Sequence, residues 1–404
     1  MKKTPLVDRL LTPYELAILG VLFLIGFTGW FFAFPMIADD FIYFFNGWIQ
    51  VVRVQGIHAW NPENFANYSP PNFYAIWAVL QAERLFGMTE SNLVVLKMTT
   101  LIGALFLGGG SYALVRALRG SRFLSGVACF ATLLTPTVFM NGAGWGQFDA
   151  WYAAFVFFSI AMLLREKIPA SVFFFVFAFT WKAQAIFLLP AIGPLWIVSL
   201  FSDRARAAQT AGLSLGAALL AYGIAIFPAW TQGFAWSGLF TIYAGQADVF
   251  HSLSMNAPNL WSAFPDADYD RWVSLGITAG LGVSLAIAAG ILLRGERGRA
   301  PATQLNWILF SATVIPFVLP KMHDRYFFIP EALATVLFVV RRDFSSGTVW
   351  VILQVVTLQT YGAYLFHWPP PNFQALVFGM FFAVVTLIAR LRPGNCPPGE
   401  SFSL

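Results

Sequence analysis

The residues able to do chemistry sit in short polar islands inside a greasy chain. The stretch FVLPKMHDRYFFIPEALA, residues 317–334, places Lys321, His323, Asp324 and Arg325 between walls of Phe, Leu and Ile. IADDFIYFFNGW supplies Asp39 and Asp40; NYSPPNFY supplies Asn67, Tyr68 and the Pro70–Pro71 pair. NGAGWGQFDAW supplies Trp145, Gln147 and Asp149, and FTWKAQAIFLLP supplies Lys182 and Gln184. A sixth island, 231–271, holds Tyr243, Gln246, His251, Asn256 and Asn259. A carboxylate from Asp39 or Asp40 can accept the proton of an attacking hydroxyl. Lys182, Lys321, His323 and Arg325 can receive a phosphate, Arg with two parallel bonds and Lys as a point charge. Cations so placed stabilise the charge that develops on a departing lipid phosphate. Base and phosphate site together describe glycosyl transfer from a lipid-phosphate sugar. The chain has no P-loop, HExxH or GxSxG motif, so ATP hydrolysis and intramembrane proteolysis lack support.

These islands must be positioned by elements of unusual composition. Of 404 residues 58% are hydrophobic and only 11% charged, and the mean hydropathy is +0.68. Apolar runs approach the roughly 20 residues that span a bilayer core. The fold class expected is therefore an all-α polytopic membrane protein; no strand-like alternation suggests a β-barrel. The expected spans are 14–36, 70–88, 92–115, 123–140, 148–163, 168–181, 184–200, 208–230, 272–293, 304–320, 326–340, 347–366 and 373–389. Segments 37–69 and 231–271 are too polar to span and too long for turns. The first span follows a basic start, exceeds a signal-peptide core and lacks a cleavage site, so it reads as uncleaved. No repeat or linker divides the chain, which reads as one membrane-embedded domain over 1–404.

Lys and Arg fall in clusters: Lys2/Lys3/Arg9, Arg116/Arg119/Arg122, Arg165/Lys167, Arg204/Arg206, Arg294/Arg297/Arg299, Arg341/Arg342 and Arg390/Arg392. Placed together on the cytoplasmic side, they leave every polar island on the far side. The net charge of +5 is thus a topology signal, and no nucleic acid is expected as partner. One conflict remains. Two full spans over 70–88 and 92–115 would put Arg116 on the wrong side, so either 70–88 does not cross or the short pair 168–200 does not. The expected count is 12 or 13. The two cysteines, Cys129 and Cys396, form neither a disulfide framework nor a metal pattern.

Each island also has a plain structural reading. Asp39 and Asp40 could mark the water boundary, and Lys182 could snorkel from a helix end. His323 could be a satisfied buried histidine, Gln147 and Asp149 could be turn residues, and Pro70–Pro71 a helix start. Arg325 and Asp324 could form a local ion pair. The functional reading rests on shared sidedness, since ionisable groups at membrane depth are costly and mark function. Rivals are a transporter or flippase of a lipid-linked sugar, which should show two related halves, and a scaffold that binds polyprenyl lipids without turnover.

The strings NYSPPNFY, NGAGWGQFDAWYAAF, FTWKAQAIFLLP, YAGQADVFHSLSMNAPNLWSAFP and VLPKMHDRYFFIPEAL resemble the bacterial integral-membrane glycosyltransferases related to the eukaryotic GPI-anchor mannosyltransferase II, of the GT-C superfamily. WGQFDA and PKMHDR are also similar to the dolichyl-phosphate-glucose glucosyltransferases. The resemblance covers about residues 37–335. It implies a GT-C fold with amphipathic helices in the first outer loop. It implies a polyprenyl-phosphate sugar donor and an inverting transfer of mannose or another hexose to a lipid-linked glycan or glycolipid. It implies a multi-pass protein, here of the bacterial inner membrane, with its site facing the periplasm. It also implies a base a short distance before an aromatic stretch ending in Trp; counted back from Trp48, Asp40 fits better than Asp39. Lys182, Lys321, His323 and Arg325 then hold the donor phosphate. Tyr68, Trp145, Gln147, Asp149, Gln184, Gln246, Asn256 and Asn259 contact sugar or acceptor. Where relatives carry Glu this chain has Asp324, which keeps the charge and shortens the reach, so pairing with Arg325 suits it better than catalysis. Many such enzymes use a divalent metal; only Asp149 could extend the acidic set here, so no cofactor is expected and metal dependence stays doubtful.

Overall fold

A computed structural model describes residues 9–60, 68–248, 250–264 and 268–392, with the side chains of 58, 247 and 248 left aside. Asn67 and Cys396 lie outside these residues. Local signals set where each helix begins. Thr12 and Glu15 form a reciprocal capping box before α1 (Pro13–Ala33). Ser91 caps α4 (Asn92–Ala117), Ser121 caps α5 (Arg122–Leu134), Asp343 caps α15 (Phe344–Leu365) and Asn372 caps α16 (Phe373–Arg390). Proline opens α3 (Pro70–Leu85), α6 (Pro136–Phe139) and α13 (Pro301–Val318). The remaining helices are α2 (Asn46–Gln55), α7 (Asp149–Leu164), α8 (Ile168–Trp181), α9 (Leu189–Ser202), α10 (Ala207–Trp230), α11 (Gly238–Asp248), α12 (Tyr269–Arg294) and α14 (Phe328–Arg341). Among the described residues these 16 α-helices are joined by short π and 3₁₀ turns and by one parallel pair of two-residue strands, β1 (Ser254–Met255) and β2 (Met322–His323).

Among the described residues six helices are long and apolar enough to cross a membrane, or seven if the bent pair α5–α6 is one span. The chain is thus an all-helical, multi-pass membrane protein. The expected span 123–140 is the broken one: it bends by 57° at Pro136. Fewer helices pass that test than the apolar runs suggested. Helices α7 and α8 are short, and α13 to α15 bury Gln304, Asn306, Glu331 and Gln354 in the bundle interior. Outward faces carry Phe27, Phe31, Leu215, Leu219, Leu285 and Leu293. Such a patchwork is a liability in water and a match for lipid tails.

Helices α4, α7 and α8 pack closely in series. Small residues let α4 approach α7, as helix packing in lipid requires. A methyl group on Gly103 would lie 2.6 Å from the Trp151 ring, and one on Gly110 2.9 Å from Phe157 Cβ.

The bundle has two chemically different poles. At one, Arg299 bonds Glu166 at 2.5 Å, Arg390 and Arg341 share Asp343 at 2.8 and 3.2 Å, and Arg294 donates to Leu391 O at 2.8 Å. Four of the cation clusters therefore meet in space. The polar islands meet at the other pole. Both ends of α3 lie there. Ser69 and Asn72 donate to Trp181 O at 2.8 and 3.1 Å, while Glu83 pairs with Arg53 of α2 at 2.7 Å. Asn92, first residue of α4, bonds Asn46 of α2 at 2.9 Å. The expected span 70–88 is thus a helix folded back beside α2. It reads as a span because its buried face is apolar, yet that face covers α2 and α4.

Candidate functional site

Asp40 follows α1 by a short turn and enters a five-residue π-turn, Phe41–Phe45, which leads directly into α2. The face of α2 with Trp48, Ile49 and Val52 is buried, so the helix anchors against the bundle and fixes the turn before it. From the other side comes the π-turn Met140–Trp145. It ends at Gly146, whose φ of +86° is a left-handed conformation that favours glycine. Fully buried Lys97 of α4 donates to Ala143 O and Gly144 O, both at 2.6 Å, and ties down the orphan carbonyls of that turn.

The two turns deliver a carboxylate to its donors. Trp145 Nε1 donates to Asp40 Oδ2 at 2.9 Å, and Gln147 Nε2 donates to the same oxygen. Tyr364 of α15 donates its hydroxyl to Asp40 Oδ1 at 2.7 Å. Tyr68 donates to Gln147 Oε1 at 2.8 Å, so Gln147 relays orientation from Tyr68 to Asp40. Arg325 Nη1 stands 3.6 Å from Asp40 Oδ2 and lies over the Trp145 ring at 5.5 Å. A carboxylate offers about four lone-pair sites; Oδ1 accepts from Tyr364 and retains room for a further donor.

These groups wall a cavity of about 440 Å³, within the range of small-molecule sites. Its lining includes Asp40, Tyr68, Trp145, Lys182, Gln184, Gln246, Asn256, His323 and Arg325. Arg325 Nε and Gln184 Oε1 are buried without a hydrogen-bond partner, a sign of groups poised for a ligand. A second cavity of about 280 Å³ shares Gln184, Gln246 and His323 with the first. Its other walls are mostly apolar, with Ile186, Phe187, Val273, Ile277 and Leu319, and Lys321 lines it too.

The expected site residues therefore divide. Asp40 lies in the cavity wall, whereas Asp39, also half-buried, does not. Asp149 pairs with Lys182 at 2.5 Å and accepts from Asn141 at 2.8 Å, and it stays behind the wall as a counter-charge. Lys182 still reaches the cavity, over the Tyr68 ring at 5.1 Å. Burial pushes its ammonium below the usual lysine range, and Asp149 acts against that. Lys321 is apart from the first cavity; its backbone N–H donates to Leu253 O at 2.8 Å and its ammonium lies over Tyr269 at 5.4 Å. His323 lines both cavities, packed on Phe250 and Tyr326. Burial, then Arg325 and Lys182, hold it well below the usual histidine range. Asp324 is buried, and its carboxylate accepts from the Arg325 backbone N–H at 2.8 Å; no bond links it to the Arg325 guanidinium among those observed. Asn259 is fully buried, bonding Leu319 O at 2.9 Å and capping the turn Leu260–Ala263. It ties the outer loop to 319–323 and does not face the cavity.

Sequence reasoning missed Tyr364, Asn141 and Tyr361, whose ring packs edge-on against Trp145 at 5.3 Å. Tyr361 and Tyr364 lie three apart near the end of α15, on one helical face, and that spacing in QTYGAYLF was the available signal. Lys97 was missed because it is a single cation inside an apolar run. Among the described residues no three of His, Cys, Asp and Glu come together as a metal site. No protein-family model matches the chain, and no curated protein matches it.

Proposed function

We propose that the chain is an inverting glycosyltransferase of the GT-C kind. It takes a hexose, mannose or another, from a polyprenyl-phosphate donor and passes it to a hydroxyl of a lipid-linked glycan or glycolipid. The observation that carries this reading is one carboxylate, Asp40, fixed by three neutral donors, with Arg325 beside it and Lys182 in the wall of the same cavity. In this reading the acceptor O–H donates to Asp40 Oδ1. As its oxygen attacks the anomeric carbon, the proton passes to Asp40 and the C1–O bond to phosphate breaks in line, with the electron pair leaving on the phosphate. Arg325 and Lys182 take up that charge, with His323 donating a hydrogen bond. The apolar second cavity receives the first prenyl units, with Lys321 at its wall. Asp40 returns its proton to water on the open side.

Topology follows the same reading. Taking each helix that joins the two poles as a crossing gives α1, α4, the α5–α6 pair, α7 to α10 and α12 to α16, hence 12. Helices α2, α3 and α11 then rest on the outer face, and Arg116 falls on the cytoplasmic side. The site faces the periplasm of a bacterial inner membrane.

The test is transfer by purified protein, given radiolabelled polyprenyl-phosphate sugars and a membrane lipid extract. The wild type should move label from one donor into a new product. Asp40→Asn should lose a factor of about 10² to 10⁴, the usual worth of a general base, while still binding donor. Wild-type turnover by Asp40→Asn removes Asp40 as base. Donor binding without transfer, together with donor crossing the bilayer in vesicles, turns the assignment to a flippase.

A further inference from the structure

A third cavity adjoins the first and differs from it in chemistry. It has a volume of about 220 Å³ and is lined by Ser252, Ser254, Asn256, Trp261, Ser262, Phe264 and Phe373. Ser254 and Asn256 belong to the walls of both cavities, so the two meet across the thickness of one strand. Among the described residues no charged side chain lines the third cavity. This lining therefore has nothing to balance a phosphate or a uronic acid, and burying such a charge there is costly. What it offers is three serine hydroxyls, which donate to backbone carbonyls of the same loop and keep lone pairs to accept a sugar O–H, together with one amide and aromatic surface. Phe264 is 40% exposed, and its ring rests on Trp272 at 5.3 Å and on Trp261 at 5.9 Å. A pyranose presents hydroxyls around its rim and a CH face to a ring, and this set is its complement. A peptide would instead require backbone donors and acceptors along a strand edge, and β1 offers an edge only two residues long.

The divider is held firmly. Ser254 pairs with Met322 and Met255 with His323, and Asn256 bridges back to His323. Asn256 sits at φ +56°, a left-handed conformation that Asn tolerates better than most residues. The turn thus places the Asn256 side chain between the two cavities.

We propose that this third cavity is an acceptor subsite for a neutral saccharide, holding the sugar next to the one that accepts transfer. The proposal rests on the transferase reading above and narrows it: the acceptor is a neutral glycan of at least two sugars rather than a single sugar, an acidic polymer or a polypeptide.

The experiment uses the full chain in lipid nanodiscs. Equilibrium binding is measured for neutral manno- and gluco-oligosaccharides of one to four units, with a galacturonate tetramer and a neutral Ser-rich peptide as controls. Affinity should rise about tenfold between one and two units and then level. Phe264→Ala should abolish that rise, consistent with loss of one buried contact worth about 1.4 kcal/mol. Ser262→Ala should weaken it as a second, gentler variant, and Asp40→Asn should keep it. Length-independent binding, a rise that survives Phe264→Ala, or preference for the acidic or peptide probe overturns the subsite. Transfer assays run alongside separate the two ideas. Transfer without length dependence sinks the subsite and keeps the enzyme; length-dependent binding without transfer from any donor does the reverse.

Discussion

At the scale of single residues, the site is a problem of buried charge. Asp149 has Lys182 and Asp40 has Arg325, each an acid facing a cation. Asp324 is less well served. Burial pushes its carboxyl up to about 7, with Arg325 pulling the other way. A group whose folded value is raised contributes stability that is present below its ordinary value and lost as pH climbs through the folded one. Wild-type stability attributable to Asp324 should thus decline between about pH 4 and 7, by at most on the order of 4 kcal/mol. Asn cannot ionise, so Asp324→Asn should match the wild type near pH 4 and melt at higher temperature at pH 8. A difference in melting temperature that is the same at both ends of that range would refute the assignment. Glu331 is buried in α14 beside Thr137 and Thr357, and nothing in the proposed chemistry requires it.

At the scale of elements, two π-turns decide the geometry, one carrying Asp40 and the other Trp145. Lys97 is the strut of the second. Lys97→Met keeps the length of the side chain and removes both bonds to Ala143 O and Gly144 O. Leaving those carbonyls unpaired should cost about 2 kcal/mol or more. More tellingly, turnover should fall at least tenfold with donor affinity nearly unchanged, because Trp145 and Gln147 no longer aim at Asp40 while Arg325 and Lys182 remain. A variant that loses donor affinity and turnover together would show that Lys97 merely holds the bundle. The helices were legible in the sequence because apolar runs and caps such as Thr12–Glu15 are local signals. The π-turns were not, since FIYFF and MNGAGW carry no local mark separating a π-turn from an α-turn. Likewise WGQFDA pointed to Trp145, Gln147 and Asp149 together, yet only the fold sends the first two to Asp40 and the third to Lys182.

At the scale of the whole molecule, sidedness organises everything. Among the described residues, four of the cation clusters meet at one pole and the polar islands at the other. Charge placement read from sequence implied that separation but left α3 unresolved, because its hydropathy cannot tell lipid from protein as the neighbour. Cysteine labelling checks the answer. In a Cys129→Ser, Cys396→Ser background, Thr89→Cys beyond α3 and Gln232→Cys beyond α10 should both react with an impermeant maleimide applied to intact spheroplasts. Arg204→Cys should react only after permeabilisation. Thr89→Cys behaving like Arg204→Cys would make α3 a true crossing and undo the proposed topology.

The short pairing of β1 with β2 has a consequence for how this surface can diverge. Side chains on a strand alternate faces, so slipping the pairing by one residue exchanges inside for outside. A one-residue insertion or deletion between Leu253 and Asn256 would turn Asn256 away from the boundary it now occupies and shift the residue opposite His323. Substitutions along that rim can retune which ligand is accepted, one side chain at a time. Changes of length there cannot be absorbed gradually, so the rim is free to vary in chemistry while its spacing stays fixed.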